Sequence, residues 1–148
     1  RISAEKINNG LANYFPTNNR SQLTKTESNT VICDFYNANP SSMTAALNNL
    51  KALNATHKTA IIGDMFELGI ESPEEHKKLI DFCINQTDIS FYFIGKDFYT
   101  NKTQQENFFF FETFEDLTKE LTEHKIKNAT LLIKGSRGMA LERTLEFL

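Results

Sequence analysis

Short unbroken apolar runs alternate with spaced apolar stripes along most of this chain. Val31–Phe35, Thr59–Gly63, Ile89–Gly95, Phe108–Phe111 and Thr130–Lys134 are runs of strand length with polar or glycine residues at their borders. Runs of this kind read as strands buried on both faces. Between them, Met43, Ala46, Leu47, Leu50 and Leu53 recur at helical spacing. Further helices are predicted from Ser72 to about Gln86, from Thr113 to about Lys125, and from Met139 to Leu148. Upstream, Ile7, Leu11 and Tyr14/Phe15 mark a helix over Ile2–Phe15 that Pro16 stops, and QLTKTESNTVICDF reads as two strands with a turn at Ser28–Asn29. Strands alternating with helices predict an α/β fold, a mostly parallel sheet with helices on both faces.

Three helix starts carry their own chemistry. Asn39–Pro40 sets an N-cap before a proline whose missing N–H is no loss in a first turn. Ser72-Pro73-Glu74-Glu75 and Thr113-Phe114-Glu115-Asp116 have capping-box spacing.

With 148 residues the chain has the length of about one domain. Its 16 basic and 19 acidic residues leave a net charge of −3, so no broad basic field draws it to nucleic acid or an anionic membrane. Any anion site must be local. Cys33 and Cys83 both lie in apolar segments without a CxxC pattern, which reads as a reduced pair in a cytoplasmic protein. No apolar run reaches the ~18–20 residues of a membrane span, and no signal peptide is visible. The chain opens on Arg1, and its first segment reads as the end of something longer.

In an open parallel sheet, ligands gather beyond the carboxyl ends of the strands. Three polar clusters fall there: Asp34 to Asn39, Gly63 to Gly69, and Lys134 to Gly138. Singly, each could be turn chemistry; together on one sheet edge they point to a site. In the third, Lys134 and Arg137 flank a glycine turn leading into a helix, a place for a carboxylate or phosphate. GxxxxGK[ST] and GxGxxG are both absent from the sequence. Asp64 and Glu67 could pair for metal or acid/base work, although Glu67 reads more as a loop-ordering acceptor. His76 shares a helical face with Leu79, Ile80 and Cys83 and reads as a core or supporting histidine, while His57 and His124 look solvated. No catalytic triad or metal-ligand spacing emerges, so no catalytic or metal residue is assigned.

DFYNANPSSMTAALNNL, IIGDMFELGIESPEEH and LLIKGSRGMALE together resemble the carboxyl-terminal domain of the Mur ligase family. The likeness is to the branch that joins D-alanyl-D-alanine to a UDP-N-acetylmuramoyl-tripeptide in peptidoglycan synthesis. It covers the chain from about Arg20 to its end, with residues 1–20 resembling the last helix of a central domain and its linker, and 21–148 the Rossmann-like domain itself. The resemblance implies a cytoplasmic, monomeric, ATP- and magnesium-dependent ligase. Its central domain would hold most of the ATP and magnesium, and this fragment alone would be inactive. It further implies that Arg20 and Asp34 meet ATP, and that Tyr36, Asn37, Asn39, Asp64, Ser136 and Arg137 line the dipeptide and reaction-centre side. Cys33 and Phe35 depart from the residues common at their positions in relatives, which touches only the details of the ribose contact. Two other readings are another Mur-type or folylpolyglutamate-type ligase domain, and a receiver-like non-enzymatic domain using Asp34, Asp64 and Lys134.

Overall fold

The computed structural model describes residues 22–26, 28–34, 38–66 and 68–148. The expected helix over 2–15, and Arg20, Phe35, Tyr36, Asn37 and Glu67, lie outside the described residues. The described residues form a six-stranded sheet: β1 (Gln22–Lys25), β2 (Thr30–Asp34), β3 (Lys58–Gly63), β4 (Ile89–Ile94), β5 (Phe108–Phe111) and β6 (Thr130–Lys134). Across the sheet the order is β1-β2-β6-β3-β4-β5. Only β1 runs antiparallel to its neighbour, Gln22 facing Cys33 and Lys25 facing Thr30, as the expected hairpin requires. The other pairings are parallel.

The strand order rules out the receiver-like reading. In that architecture the order is 2-1-3-4-5, whereas here the last parallel strand, β6, inserts between the first two, β2 and β3.

Alternating side chains divide the core into two layers, as the period of two along a strand demands. Ile32, Ala60, Ile62, Phe91, Phe93 and Leu132 face one layer. It is covered by helix α1 (Pro40–Ala52) through Met43, Leu47 and Leu50, and by helix α2 (Ser72–Ile84) through Leu79, Ile80 and Cys83. Phe98 of the short helix α3 (Lys96–Thr100) joins the same layer. Val31, Cys33, Ile61, Ile94, Leu131 and Ile133 face the other, under helix α4 (Phe114–Glu123) and the chain's last turns. The buried free thiols of Cys33 and Cys83 therefore sit in different layers.

Phenylalanine supplies the volume that no tryptophan provides. Phe93 stacks on Phe110 at 4.8 Å between ring centroids, with Phe98 at 5.0 Å and Phe108 at 5.2 Å. Each such pair contributes ~0.5–1.5 kcal/mol beyond its buried area.

The predicted caps are met at two of three starts. Asn39 Oδ1 accepts from Ser42 N at 2.9 Å while Ser42 Oγ accepts from Asn39 N at 3.1 Å, and Thr113 Oγ1 accepts from Asp116 N at 3.2 Å. Ser72 is not a cap. A 3-10 turn, Gly69–Glu71, precedes α2 and makes Glu71 the cap position, because Gly69 takes a left-handed φ of 62° there. The expected helix from Met139 is also corrected: Arg137–Met139 and Leu141–Phe147 are 3-10 turns, broken at Ala140 with φ 53°. Among the described residues, no helix is long and apolar enough to cross a membrane.

Candidate functional site

All five parallel strands deliver their carboxyl ends to one edge, and β6 makes that edge unusual. The chain leaves β2 and β3 toward the layer under α1 and α2, but leaves β6 toward the opposite layer. Neighbouring connections that part to opposite faces open a crevice, the usual place for a ligand in such sheets. β6 has such a junction on each side.

On one side, parallel register sets Asp34 directly opposite Lys134. Both continue the row of Ile32 and Leu132, so both side chains reach the same face. Lys134 Nζ donates to Asp34 Oδ2 at 2.7 Å, and both residues are buried. Lys134 therefore answers an internal carboxylate, which corrects its expected place beside Arg137 as an anion holder.

On the other side, the loops after β3 and β6 are sewn together. Gly135 lies against β3 so closely that an added Cβ would stand 3.0 Å from Gly63 Cα. Ser136 N donates to Asp64 O at 3.2 Å, and Phe66 N donates back to Ser136 Oγ at 2.7 Å. Arg137 follows at the exposed rim. Because the segment it opens is a three-residue 3-10 turn, the expected α-helix dipole beside Arg137 is absent. Any grip on an anion there falls to the guanidinium itself.

Asp64, also expected at the site, turns its carboxylate inward. Oδ2 accepts from Asp97 N at 2.9 Å and Oδ1 from Phe98 N at 3.0 Å, capping the first turn of α3. Gly95 makes room: its φ is 129°, and a Cβ would stand 2.3 Å from Asp64 Cγ. Burial pushes the Asp64 carboxyl above its ordinary range. The amides of Asp97 and Phe98 draw it back, and the Asp97 charge raises it further.

His76 is completely buried, as its place on the apolar face of α2 predicted. Its Nδ1 donates to Ser72 O at 2.7 Å, and its Nε2 accepts from Met65 N at 2.9 Å. Ser72 Oγ donates to Asp97 Oδ2 at 3.1 Å. Serine, histidine and aspartate thus meet, but not as a catalytic triad: both ring nitrogens are engaged with backbone, so neither stands ready to accept a hydroxyl proton. Asp64, His76 and Asp97 are also the described residues spaced to hold a metal ion. They do not fit one, because Met65 N–H takes the imidazole lone pair and two amides occupy the Asp64 oxygens.

A cavity of about 430 Å³ opens beside this network, lined by Phe66, Lys96, Asp97, Glu112, Phe114 and Arg143 among others. Arg143 lies over the Phe114 ring at 3.9 Å and donates to the carbonyls of Met139 and Ala140. Cations and carboxylates in one lining suit a ligand that carries both charges. Phe66 in that lining is 43% exposed.

Of the residues expected at the site, Asp34, Asp64, Ser136 and Arg137 come to the same sheet edge. Asn39 spends its side-chain oxygen on the cap of α1 and on Ser41 Oγ. Arg20, Tyr36 and Asn37 lie outside the described residues. Gly95-Lys96-Asp97 was missed in the sequence, although it follows a predicted strand as the other three polar clusters do.

The family profile described as "Mur ligase, glutamate ligase domain" matches residues 19–137. A UDP-N-acetylmuramoyl-tripeptide–D-alanyl-D-alanine ligase of Rickettsia prowazekii is 35% identical over 143 residues, covering 93% of this chain and 31% of the relative. A crystal structure of MurF from Acinetobacter baumannii superposes with a TM-score of 0.72 at 27% identity, over 88% of this chain and 29% of that one. The MurF ligase of Thermotoga maritima, solved with ADP, shares the fold with a TM-score of 0.71 at 24% identity, over 88% of this chain and 30% of that one. The chain thus spans about a third of the length of the relatives it matches.

Proposed function

The chain belongs to the Mur ligase family, and from that premise we propose that it is the carboxyl-terminal domain of a ligase that adds D-alanyl-D-alanine to UDP-N-acetylmuramoyl-tripeptide, in the cytoplasm and at the expense of ATP. Residues 1–20 are read as the end of the preceding domain and its linker. The observation that carries this is the joining of the GDM loop to the KGSR loop at a sheet crevice, through Ser136 N to Asp64 O and Phe66 N to Ser136 Oγ. Relatives named for this reaction support the choice of substrate.

ATP, when bound, supplies the phosphoryl group that activates the tripeptide carboxylate. Asp34, a carboxylate at the carboxyl end of β2 where β2 and β6 lie side by side, fits the hydroxyl groups of a ribose. Lys134, donating to Asp34 Oδ2, orients that carboxylate. Arg20, Tyr36, Asn37 and Asn39 are assigned to the nucleotide and reaction-centre side by motif alone. Magnesium finds no fitting set among the described residues, and with no GxxxxGK[ST] sequence here the phosphates too fall to other parts of the full-length ligase. For the incoming dipeptide, Asp64 and Ser136 shape the wall of the pocket and Arg137 meets the terminal carboxylate. A planar guanidinium can do so through two parallel hydrogen bonds.

The test is steady-state kinetics on the full-length enzyme. Arg137→Ala raises the KM for D-alanyl-D-alanine by ~10-fold or more, equivalent to ~1.4 kcal/mol or more, and moves the KM for ATP much less. Arg137→Lys recovers part of the loss. An unchanged dipeptide KM, or an ATP KM that rises equally, removes Arg137 from the dipeptide pocket. A wild type that adds no D-alanyl-D-alanine overturns the reading as a whole.

A further inference from the structure

Three consecutive residues after β3 are each fastened to a different part of the molecule. Asp64 holds α3 through the amides of Asp97 and Phe98, Met65 is held by His76 of α2, and Phe66 is held by Ser136 of the loop after β6. Ser136 N closes the circuit on Asp64 O. We propose that His76, although shut away from any ligand, is a positioning residue that sets the shape of the paired loops 64–66 and 135–137, and so of the dipeptide pocket. The link to that pocket rests on the function proposed above.

The chemistry of the ring explains why a histidine stands here. A neutral imidazole offers one donor and one acceptor on opposite sides of a rigid plane. Donation from Nδ1 to Ser72 O fixes the tautomer and leaves Nε2 as the acceptor for Met65 N. The ring is held in turn by Phe98, edge to face at 4.6 Å between centroids, which itself packs on Phe93 of β4. The imidazole is therefore a stiff spacer between α2 and the loop. Met65 is fully buried, so without His76 its N–H would have no water to turn to. The 64–66 segment would shift, and the Phe66–Ser136 bond would shift with it.

Two amide variants of the full-length enzyme separate positioning from mere stability. Gln places its amide at the level of Nε2 and keeps an acceptor for Met65 N; Asn places its amide at the level of Nδ1 and keeps only the Ser72 side. We expect His76→Asn to raise the KM for D-alanyl-D-alanine ~5-fold or more with the ATP KM changed less than ~2-fold, and His76→Gln to recover most of that loss. In hydrogen exchange on the same proteins, His76→Asn speeds exchange over 64–66 and 135–137, and His76→Gln does so much less. Equal effects of the two variants, or loops whose exchange does not respond to either, overturn the proposal. If the Asn variant does not fold, the wild type still decides: a Met65 amide that exchanges as fast as an exposed loop amide overturns it. If the wild type adds no D-alanyl-D-alanine, the function fails while the exchange data judge the positioning role separately.

Discussion

Asp34 ends β2 and Asp64 follows β3, with β6 between them, and both residues are nearly closed to water at 7% and 4% exposure. They are accommodated in different ways. Asp34 meets a cation, Lys134, at 2.7 Å. Asp64 meets two backbone N–H groups at 2.9 and 3.0 Å, with the His76 ring 3.8 Å from Oδ1. The first arrangement sets a charge against an opposite charge. The second leaves charge incompletely answered but orders α3 and two loops around it. Where a sheet edge must stay rigid on one side and present a shaped wall on the other, the two solutions divide the work.

The largest expected effect breaks the first arrangement. Lys134→Met takes from the buried Asp34 carboxylate the ion-pair partner that stands 2.7 Å away, and removing one member of such a pair costs about 3–5 kcal/mol. Urea unfolding reads this directly. Adding Asp34→Asn to Lys134→Met should return much of the loss, since the charge that lost its ion-pair partner is then gone as well. If the double variant is no better than the single one, Lys134 acts through packing and the contrast with Asp64 is false.

Next in size is Gly95→Ala, which strikes the second arrangement. The φ of 129° is a conformation reserved almost wholly for glycine, and the new methyl would collide with the Asp64 carboxyl. Backbone strain and overpacking together should cost roughly 2–4 kcal/mol. If Asp64 truly orders α3, hydrogen exchange should rise at the Asp97 and Phe98 amides and not at β2. A loss of stability without that local signature would reduce Gly95 to a simple steric constraint.

How far these features could be read in the sequence follows the same division. Long-period information was legible: five parallel strands, three α-helices, the Asn39 cap and the buried face carrying His76 all follow from spacing and residue type. Asp34 was legible as a site residue because it ends an apolar run. The partner of Asp34 was not, because register between β2 and β6, 100 positions apart, is a property of the sheet. α3 was missed since five residues cannot display a helical period. Ser72 looked like a cap because its spacing to Glu75 is right, but the left-handed turn at Gly69 moved the helix start and freed its hydroxyl for Asp97. The last segment kept its helical spacing of apolar residues, yet the left-handed Ala140 divides it into 3-10 turns. Spacing alone does not distinguish those from an α-helix.

The smallest effect tests how completely the amides answer Asp64. Burial is the largest influence on its carboxyl and raises it above the usual 3.8, with the amides of Asp97 and Phe98 acting in the opposite direction. The folded chain therefore keeps this proton to higher pH than the unfolded chain does. Between the two values the folded state binds more protons, so the free energy of unfolding falls as pH rises. The contribution of Asp64 is fully present below its unfolded value and is lost as pH climbs through the folded one. Asp64→Asn cannot titrate, and it also loses one of the two acceptors, so it should be less stable than wild type throughout. What distinguishes the mechanism is the trend: the margin of wild type over Asp64→Asn should narrow as pH increases from the unfolded value upward. Urea unfolding of both proteins across that range measures it. A constant margin would mean that two N–H groups answer a buried carboxylate as completely as Lys134 answers Asp34, and the difference between the two strand ends would then be one of geometry alone.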